Sequence, residues 1–79
     1  MSVFVNGMYV GCEIYPGVYA EELAGPSWIL RKENAQGWPC RVGEVKGGQA
    51  GGEYLAFTCL GDVRGRAYSL RTAAQFLLN

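Results

Sequence analysis

The sequence predicts an α+β fold, in which a small antiparallel β-sheet or partly closed barrel of five to six strands carries one C-terminal helix. Strand-like runs separated by glycine and proline turns fill residues 3–60, and a helix-period apolar stripe lies in residues 70–78. Strands followed by one helix favour an antiparallel sheet with the helix packed on it. A chain of 79 residues has room for one core, so we expect a single domain over residues 1–79.

The first predicted element is a hairpin of residues 3–5 and 8–15, joined by Asn6-Gly7. Asn-Gly is the preferred pair for a type I′ turn, because both of its central positions need positive φ. The second run alternates apolar and other side chains, which indicates a half-buried strand. We expect one set to face the core, Met8, Val10, Cys12 and Ile14, and the other to face outward, Tyr9, Gly11, Glu13 and Tyr15.

Pro16-Gly17 predicts a turn, after which residues 18–25 are ambiguous. They fit either an edge strand that pairs back on the preceding strand, or a short helix that ends at Gly25. We favour the strand, because β-branched and aromatic residues open the segment.

A meander of three strands is expected next, in residues 27–33, 38–45 and 53–60, with a turn at 34–37. Pro39 is tolerated near the beginning of a strand, and Gly43 in a strand interior indicates a bulge. In the third run Leu55, Phe57 and Cys59 share one face. We therefore expect Cys59, like Cys12, to be a small core residue.

Ser69 is a suitable N-cap for a helix over residues 70–78. Leu70, Ala73, Ala74 and Leu77 follow the i, i+3, i+4, i+7 spacing of an apolar stripe, which predicts that the helix lies across the sheet.

Histidine is absent, which excludes histidine-based nucleophile pairs, HExxH metal sites and histidine general bases. Cys12, Cys40 and Cys59 are far apart and form no CxxC pair, so neither a zinc site nor a redox dithiol is indicated. Adjacent Glu21 and Glu22 would point to opposite faces of a strand and would not converge on a substrate. We expect no catalytic residues, no cofactor and no metal, and hence no enzyme.

The cluster "GGQAGG", residues 47–52, matches neither phosphate-loop pattern. GxxxxGK[ST] needs lysine followed by serine or threonine, where this chain has Glu53 and Tyr54, and GxGxxG is not matched. The cluster is interpreted as a mobile hairpin tip.

Seven basic and seven acidic residues give a formal charge of zero, but they are unevenly placed. Residues 1–25 contain three acidic residues and no base, and residues 26–79 contain all seven bases against four acids. No apolar run is long enough to span a membrane and no signal peptide is indicated, so a cytoplasmic location is expected, that of a bacterial host cell if a mobile element encodes the protein.

The first functional hypothesis is a non-enzymatic binding protein that occludes a macromolecular partner, most simply a protein or ribonucleoprotein complex. Outward-facing tyrosines beside carboxylates are typical of protein contacts. This acidic and aromatic patch comprises Glu13, Tyr15, Tyr19, Glu21 and Glu22. Small, histidine-free inhibitors of host defence complexes encoded by phages or mobile elements, anti-CRISPR proteins among them, share this profile as a class.

Two alternatives stay open. Arginines beside stacking aromatics predict a nucleic-acid-binding module. Its basic patch comprises Trp38, Arg41, Lys46, Tyr54, Arg64, Arg66 and Arg71. The other alternative is a homo-oligomeric structural or virion accessory protein, such as a homodimer, in which exposed strand edges and an unpaired cysteine join copies.

Overall fold

The computed structural model describes residues 3–48 and 50–78, and within them seven antiparallel strands and one α-helix form an α+β fold. The strands are β1 Val3–Val5, β2 Met8–Tyr15, β3 Val18–Leu23, β4 Ser27–Glu33, β5 Pro39–Lys46, β6 Tyr54–Phe57 and β7 Val63–Ala67, and the helix is α1 Leu70–Leu78. Each strand pairs with its neighbour in sequence, so the order in the open sheet is the order in the chain. The predicted fold class is confirmed, with more strands than the five to six expected.

The ambiguous segment after Pro16-Gly17 is a strand that pairs back on β2, as favoured, but it is an internal strand and not an edge strand, because β4 pairs on its other side. β3 pairs with β4 along its whole length, from Val18 opposite Lys32 to Leu23 opposite Ser27. Pairing with neighbouring strands therefore decides the secondary structure of a segment whose local sequence fits both a strand and a helix.

β7 was not predicted. Its sequence, Val-Arg-Gly-Arg-Ala, alternates small or apolar residues with arginines, but it is short, has one β-branched residue and has glycine at its centre. It pairs with β6, with Gly65 opposite Ala56 and Ala67 opposite Tyr54. Its place in the sheet depends on these neighbours and on the helix above it.

The core lies between the sheet and α1. Its buried residues are Ala20, Leu30, Val45, Ala56, Ala67, Ala73 and Ala74. Ala73 and Ala74 are completely buried, as the apolar stripe predicts. The helix sits close to the sheet because the strands below it carry small residues. A Cβ atom at Gly43 would lie 2.3 Å from the carbonyl oxygen of Phe57 and 2.9 Å from Cδ1 of Leu77.

The predicted bulge at Gly43 is confirmed. Leu30 pairs with Gly43 whereas Arg31 pairs with Arg41, which leaves Val42 as the extra residue of β5. Pro39, at the first position of β5, is buried.

The β1–β2 hairpin turns at Asn6 and Gly7, which have φ of 52° and 82°, as a type I′ turn requires. Its tip reaches across the molecule, because Asn6 Nδ2 donates a 2.8 Å hydrogen bond to the carbonyl oxygen of Gly37 in the β4–β5 turn. This contact ties the hairpin to a turn that lies three strands away in the sheet order.

Gly11 breaks the alternation expected along β2. It has φ of 85°, and a Cβ atom there would lie 2.1 Å from the carbonyl oxygen of Ala20. The register shifts at the same point, leaving Val10 as an extra residue. Val10 is completely buried, but Met8 and Cys12 are exposed. The prediction that Met8 and Cys12 are core residues is therefore wrong, although Cys12 pairs with Ala20 and so lies on the core side of the sheet.

Cys59 is also exposed, because the strand expected over residues 53–60 ends at Phe57. Thr58 begins a turn in which its Oγ1 accepts hydrogen bonds from the backbone N–H groups of Leu60 and Asp62. Among the described residues, no helix has the length and apolarity needed to cross a membrane.

Candidate functional surfaces

The sheet has two sides, which we name the helix side, covered by α1, and the open side. Directly paired residues of neighbouring antiparallel strands share a side. The pairs Ala20–Leu30, Trp28–Val45 and Val45–Ala56 thus mark the helix side. The register places one continuous row on the open side: Glu13, Tyr19, Arg31 and Arg41.

The structure does not assemble the predicted acidic and aromatic patch. Tyr19 is only 6% exposed, so the expectation that it faces outward is wrong. Its hydroxyl donates a 3.2 Å hydrogen bond to Glu33 Oε1. Burial, this hydrogen bond, and the nearby charges of Glu33 and Glu13 all raise the pKa of Tyr19.

The remaining members of that patch have separate surroundings. Glu21 accepts a 2.6 Å hydrogen bond from Arg31 Nη1 on the open side. Exposed Glu13 accepts a hydrogen bond from the backbone N–H of Gly17 through Oε2.

Tyr15 and Glu22 are on the helix side. Tyr15 packs beside the helix instead of projecting outward, since its hydroxyl donates a 2.8 Å hydrogen bond to the carbonyl oxygen of Arg71. The guanidinium carbon of Arg71 lies 4.7 Å from the centre of the Tyr15 ring. Glu22 pairs across the strands with Trp28.

The predicted basic patch is divided as well. Arg41, Lys46 and Arg66 share the open side of β5, β6 and β7. Arg64 is exposed at a bulge of β7. Tyr54 is on the helix side, with its ring centre 5.7 Å from that of Trp28. Arg71 is on α1, and Trp38 lies in the β4–β5 turn, where it is half exposed.

The open side of β5, β6 and β7 is a mixed surface, which we call the β5–β7 face. Its residues are Arg41, Glu44, Lys46, Leu55, Phe57, Val63 and Arg66. Lys46 Nζ lies 5.3 Å from the centre of the Phe57 ring. Arg41 and Arg66 lie 3.9 Å and 3.4 Å from the carboxylates of Glu44 and Glu53. Leu55 and Phe57 of β6 thus form the centre, and the charged groups of β5 and β7 lie to either side, together with Val63 on the edge strand.

A cleft of about 300 Å³ opens on the helix side, between the β1–β2 hairpin and the beginning of α1. Its main lining residues are Tyr9, Cys12, Ile14, Glu22, Trp28 and Leu70. Sequence reasoning singled out Glu22 but missed the cleft. Its other members come together only through the strand register and the bend at Gly11, neither of which has a local signal.

The glycine cluster begins with a packed residue. Gly47 is buried and donates a 2.6 Å backbone hydrogen bond to the carbonyl oxygen of Pro26. A Cβ atom there would lie 2.9 Å from the Tyr54 ring and 3.4 Å from that of Trp28. The first glycine therefore gives these two rings room to meet. Gln49 lies outside the described residues, and the mobility of the loop stays a prediction.

Over residues 3–48 and 50–78, no three cysteine, aspartate or glutamate side chains converge as a metal site would need. Comparisons with protein-family models, with curated proteins and with solved structures find no match for this chain.

Proposed function

We propose that this protein is a non-enzymatic binding protein that covers part of a larger protein with its β5–β7 face. One observation carries the proposal. The helix covers one side of the sheet, and the other side presents the half-exposed Phe57 and Leu55 within a rim of arginine, lysine and glutamate. An apolar centre with a polar rim that includes arginine and an aromatic residue is the usual anatomy of a protein interface.

The partner expected on this face is a protein with an acidic contact surface. The face has three bases, Arg41, Lys46 and Arg66, against the carboxylate of Glu44 on the face and that of Glu53 beside it. This excess of positive charge complements an acidic patch. The acidic patch expected from the sequence does not carry the proposal, because its members lie on both sides of the sheet.

A protein partner is favoured over a nucleic acid because bases of the β5–β7 face lie close to carboxylates and the chain has no net charge. Two of the three bases are already close to carboxylates, and the chain has no net charge to attract phosphate groups. A nucleic-acid surface gains most of its affinity from phosphate contacts, whereas Leu55 and Val63 have no role in them.

We propose that the protein acts by covering a surface that its partner needs for binding, in the manner of anti-CRISPR proteins that block a host defence complex. The support for this proposal is the profile of the sequence, which has no histidine and no net charge. Blocking a surface requires contact area and no catalysis, and the β5–β7 face provides contact area.

The proposal is tested by purifying the tagged protein from its host together with whatever binds it, using matched charge-reversal variants. The test variant combines Lys46→Glu and Arg66→Glu, whose side chains are exposed on the β5–β7 face. The control is Lys32→Glu, an exposed change on the helix side. We expect the wild type and the control to retain the same partner and the test variant to lose it while keeping its circular dichroism spectrum. Equal retention by all three would overturn the assigned surface.

The nucleic-acid alternative is tested with labelled single-stranded DNA and RNA at low salt. Absence of binding removes this alternative. Binding that falls steeply with salt and is lost in the test variant would replace the protein partner by a nucleic acid.

A further inference from the structure

The cleft on the helix side is lined by one carboxylate and two aromatic side chains. Glu22 and Trp28 are direct cross-strand neighbours on β3 and β4, and Tyr9 lines the same cleft from β2. The volume, about 300 Å³, is at the lower end of the range for small-ligand sites in proteins. The cleft has room for a small organic molecule.

The Trp28 side of the cleft is held in place before any ligand arrives. The Trp28 ring packs against the Tyr54 ring at 5.7 Å, and Gly47 leaves the space that both rings need. A half-buried ring with a packed neighbour loses little conformational freedom when a ligand binds, which favours affinity.

Among the described residues that line the cleft, Glu22 is the one with a charge. The ion pairs of the described residues are Glu21 with Arg31, Glu44 with Arg41, and Glu53 with Arg66, so Glu22 is in none of them. Arg71 follows the lining residue Leu70 on the helix, but its guanidinium lies over the Tyr15 ring. The charge that the cleft presents to a ligand is therefore negative.

We propose that this cleft binds an organic ammonium group, either that of a free small molecule of the size of choline or that of a lysine side chain, methylated or not. Aromatic ring faces attract cations, and a nearby carboxylate adds a direct charge interaction. A neutral ligand would remove water from Glu22 without replacing it, and an anion would be repelled. The site is separate from the β5–β7 face, so this proposal does not depend on the function proposed above.

The two tryptophans of the chain allow a direct test by nuclear magnetic resonance. Trp28 lines the cleft, while Trp38 lies in the β4–β5 turn and serves as an internal control. Choline is compared with 3,3-dimethylbutanol, which has the same shape without the charge. We expect millimolar choline to shift the indole N–H resonance of Trp28 and leave that of Trp38 in place. The alcohol should shift neither.

A second arm distinguishes the two sources of the ammonium group. Short peptides with one lysine or one trimethyllysine are titrated in the same way, beside a glutamine peptide. Tighter binding of a lysine or trimethyllysine peptide than of choline assigns the site to a protein side chain, and the reverse order assigns it to a free small molecule.

Variants then test the carboxylate. Glu22→Gln should weaken binding of the preferred cation by about fivefold or more, whereas Glu53→Gln, which changes a carboxylate beside Arg66, should leave it unchanged. Equal shifts from choline and the alcohol, equal affinity in the two variants, or no shift of Trp28 with any cation would each overturn the proposal.

Discussion

The hydroxyl of Tyr19 donates a hydrogen bond to Glu33 across strands β3 and β4, with 3.2 Å between Oη and Oε1. Tyr19 is almost fully buried, and the Glu13 carboxylate is close enough to raise its pKa further. Loss of the Tyr19 proton would therefore place a phenolate beside one or two carboxylates with little water to screen them. The neutral form of Tyr19 is the one compatible with the fold.

We predict that the protein loses stability at alkaline pH through Tyr19. Its pKa in the folded state is raised above the unfolded value of about 10, so its stabilising effect is complete below that pH. The effect is lost as pH rises toward the folded pKa. Tyr19→Phe should remove this part of the pH dependence. Phenolate absorbance checks it, because the wild type should show an absorbance step above the ordinary tyrosine pKa that Tyr19→Phe lacks. Identical titration curves of the two proteins above about pH 10 would contradict the assignment.

Gly43→Ala should lower the free energy of unfolding by about 3 kcal/mol, the upper part of the range for overpacking a core. The new methyl group would meet the backbone oxygen of Phe57 at 2.3 Å, and backbone cannot turn away. Gly65→Ala is the matched comparison, because its methyl group would meet the ring of Phe76 at 2.6 Å. Phe76 is 40% exposed and can move, so we expect a loss of about 1 kcal/mol.

Combining Gly65→Ala with Phe76→Leu tests whether the loss of stability at Gly65 comes from the contact with the Phe76 ring. If the ring of Phe76 causes the loss, the combined effect should be smaller than the sum of the single effects. Urea denaturation followed by circular dichroism measures all of these variants. Equal losses at Gly43 and Gly65 would show that the backbone contact at Gly43 is relieved by movement of the strand.

Glu21→Gln should lower the free energy of unfolding by about 1 to 2 kcal/mol, because it leaves the guanidinium of Arg31 without its charged partner. The side chains of Arg31 and Glu21 are 17% and 25% exposed. Glu53→Gln should cost about 0.5 kcal/mol or less, since its partner Arg66 is 70% exposed. A double-mutant cycle with Arg31→Met measures the coupling of the first pair. A coupling near zero would return Glu21 to the set of possible contact residues.

Ser69→Ala should cost about 1 kcal/mol, as the loss of a helix N-cap usually does. Ser69 Oγ accepts a 3.2 Å hydrogen bond from the backbone N–H of Thr72. Ser69→Asp should keep most of the stability, because a carboxylate caps the same N–H group and favours the helix N-terminus. Thermal unfolding compares the two, and Ser27→Ala is the control, since Ser27 Oγ makes a longer bond of 3.4 Å at the start of β4. A similar loss in all three would exclude a capping role.

The sequence was sufficient to predict those elements that a few neighbouring residues specify. Asn6-Gly7 specifies its turn by backbone conformation, and Ser69 with the apolar stripe specifies α1. β7 has only a weak signal, because it is short, has one β-branched residue and has glycine at its centre. It is placed by pairing with β6 and by the helix.

The sides of the sheet were harder to predict than its strands. One positive φ at Gly11 changes the side of the residues before it relative to those after it, so alternation assigned Met8 wrongly. Cys12 lies on the expected side, opposite Ala20, but it lines the cleft and stays exposed. The cleft depends on the same bend, and it also needs the register that places Glu22 beside Trp28. Neither can be obtained from residue type alone.

The order of the elements also determines what a ribosome exposes during synthesis. Every strand can pair with the one made just before it, so the sheet is able to grow as the chain emerges. The apolar side formed by Ala20, Leu30, Val45 and Ala56 is covered only when α1 follows. Each nascent chain therefore passes through a stage in which a finished sheet has an uncovered apolar surface, and at that stage aggregation or chaperone binding competes with docking of the helix.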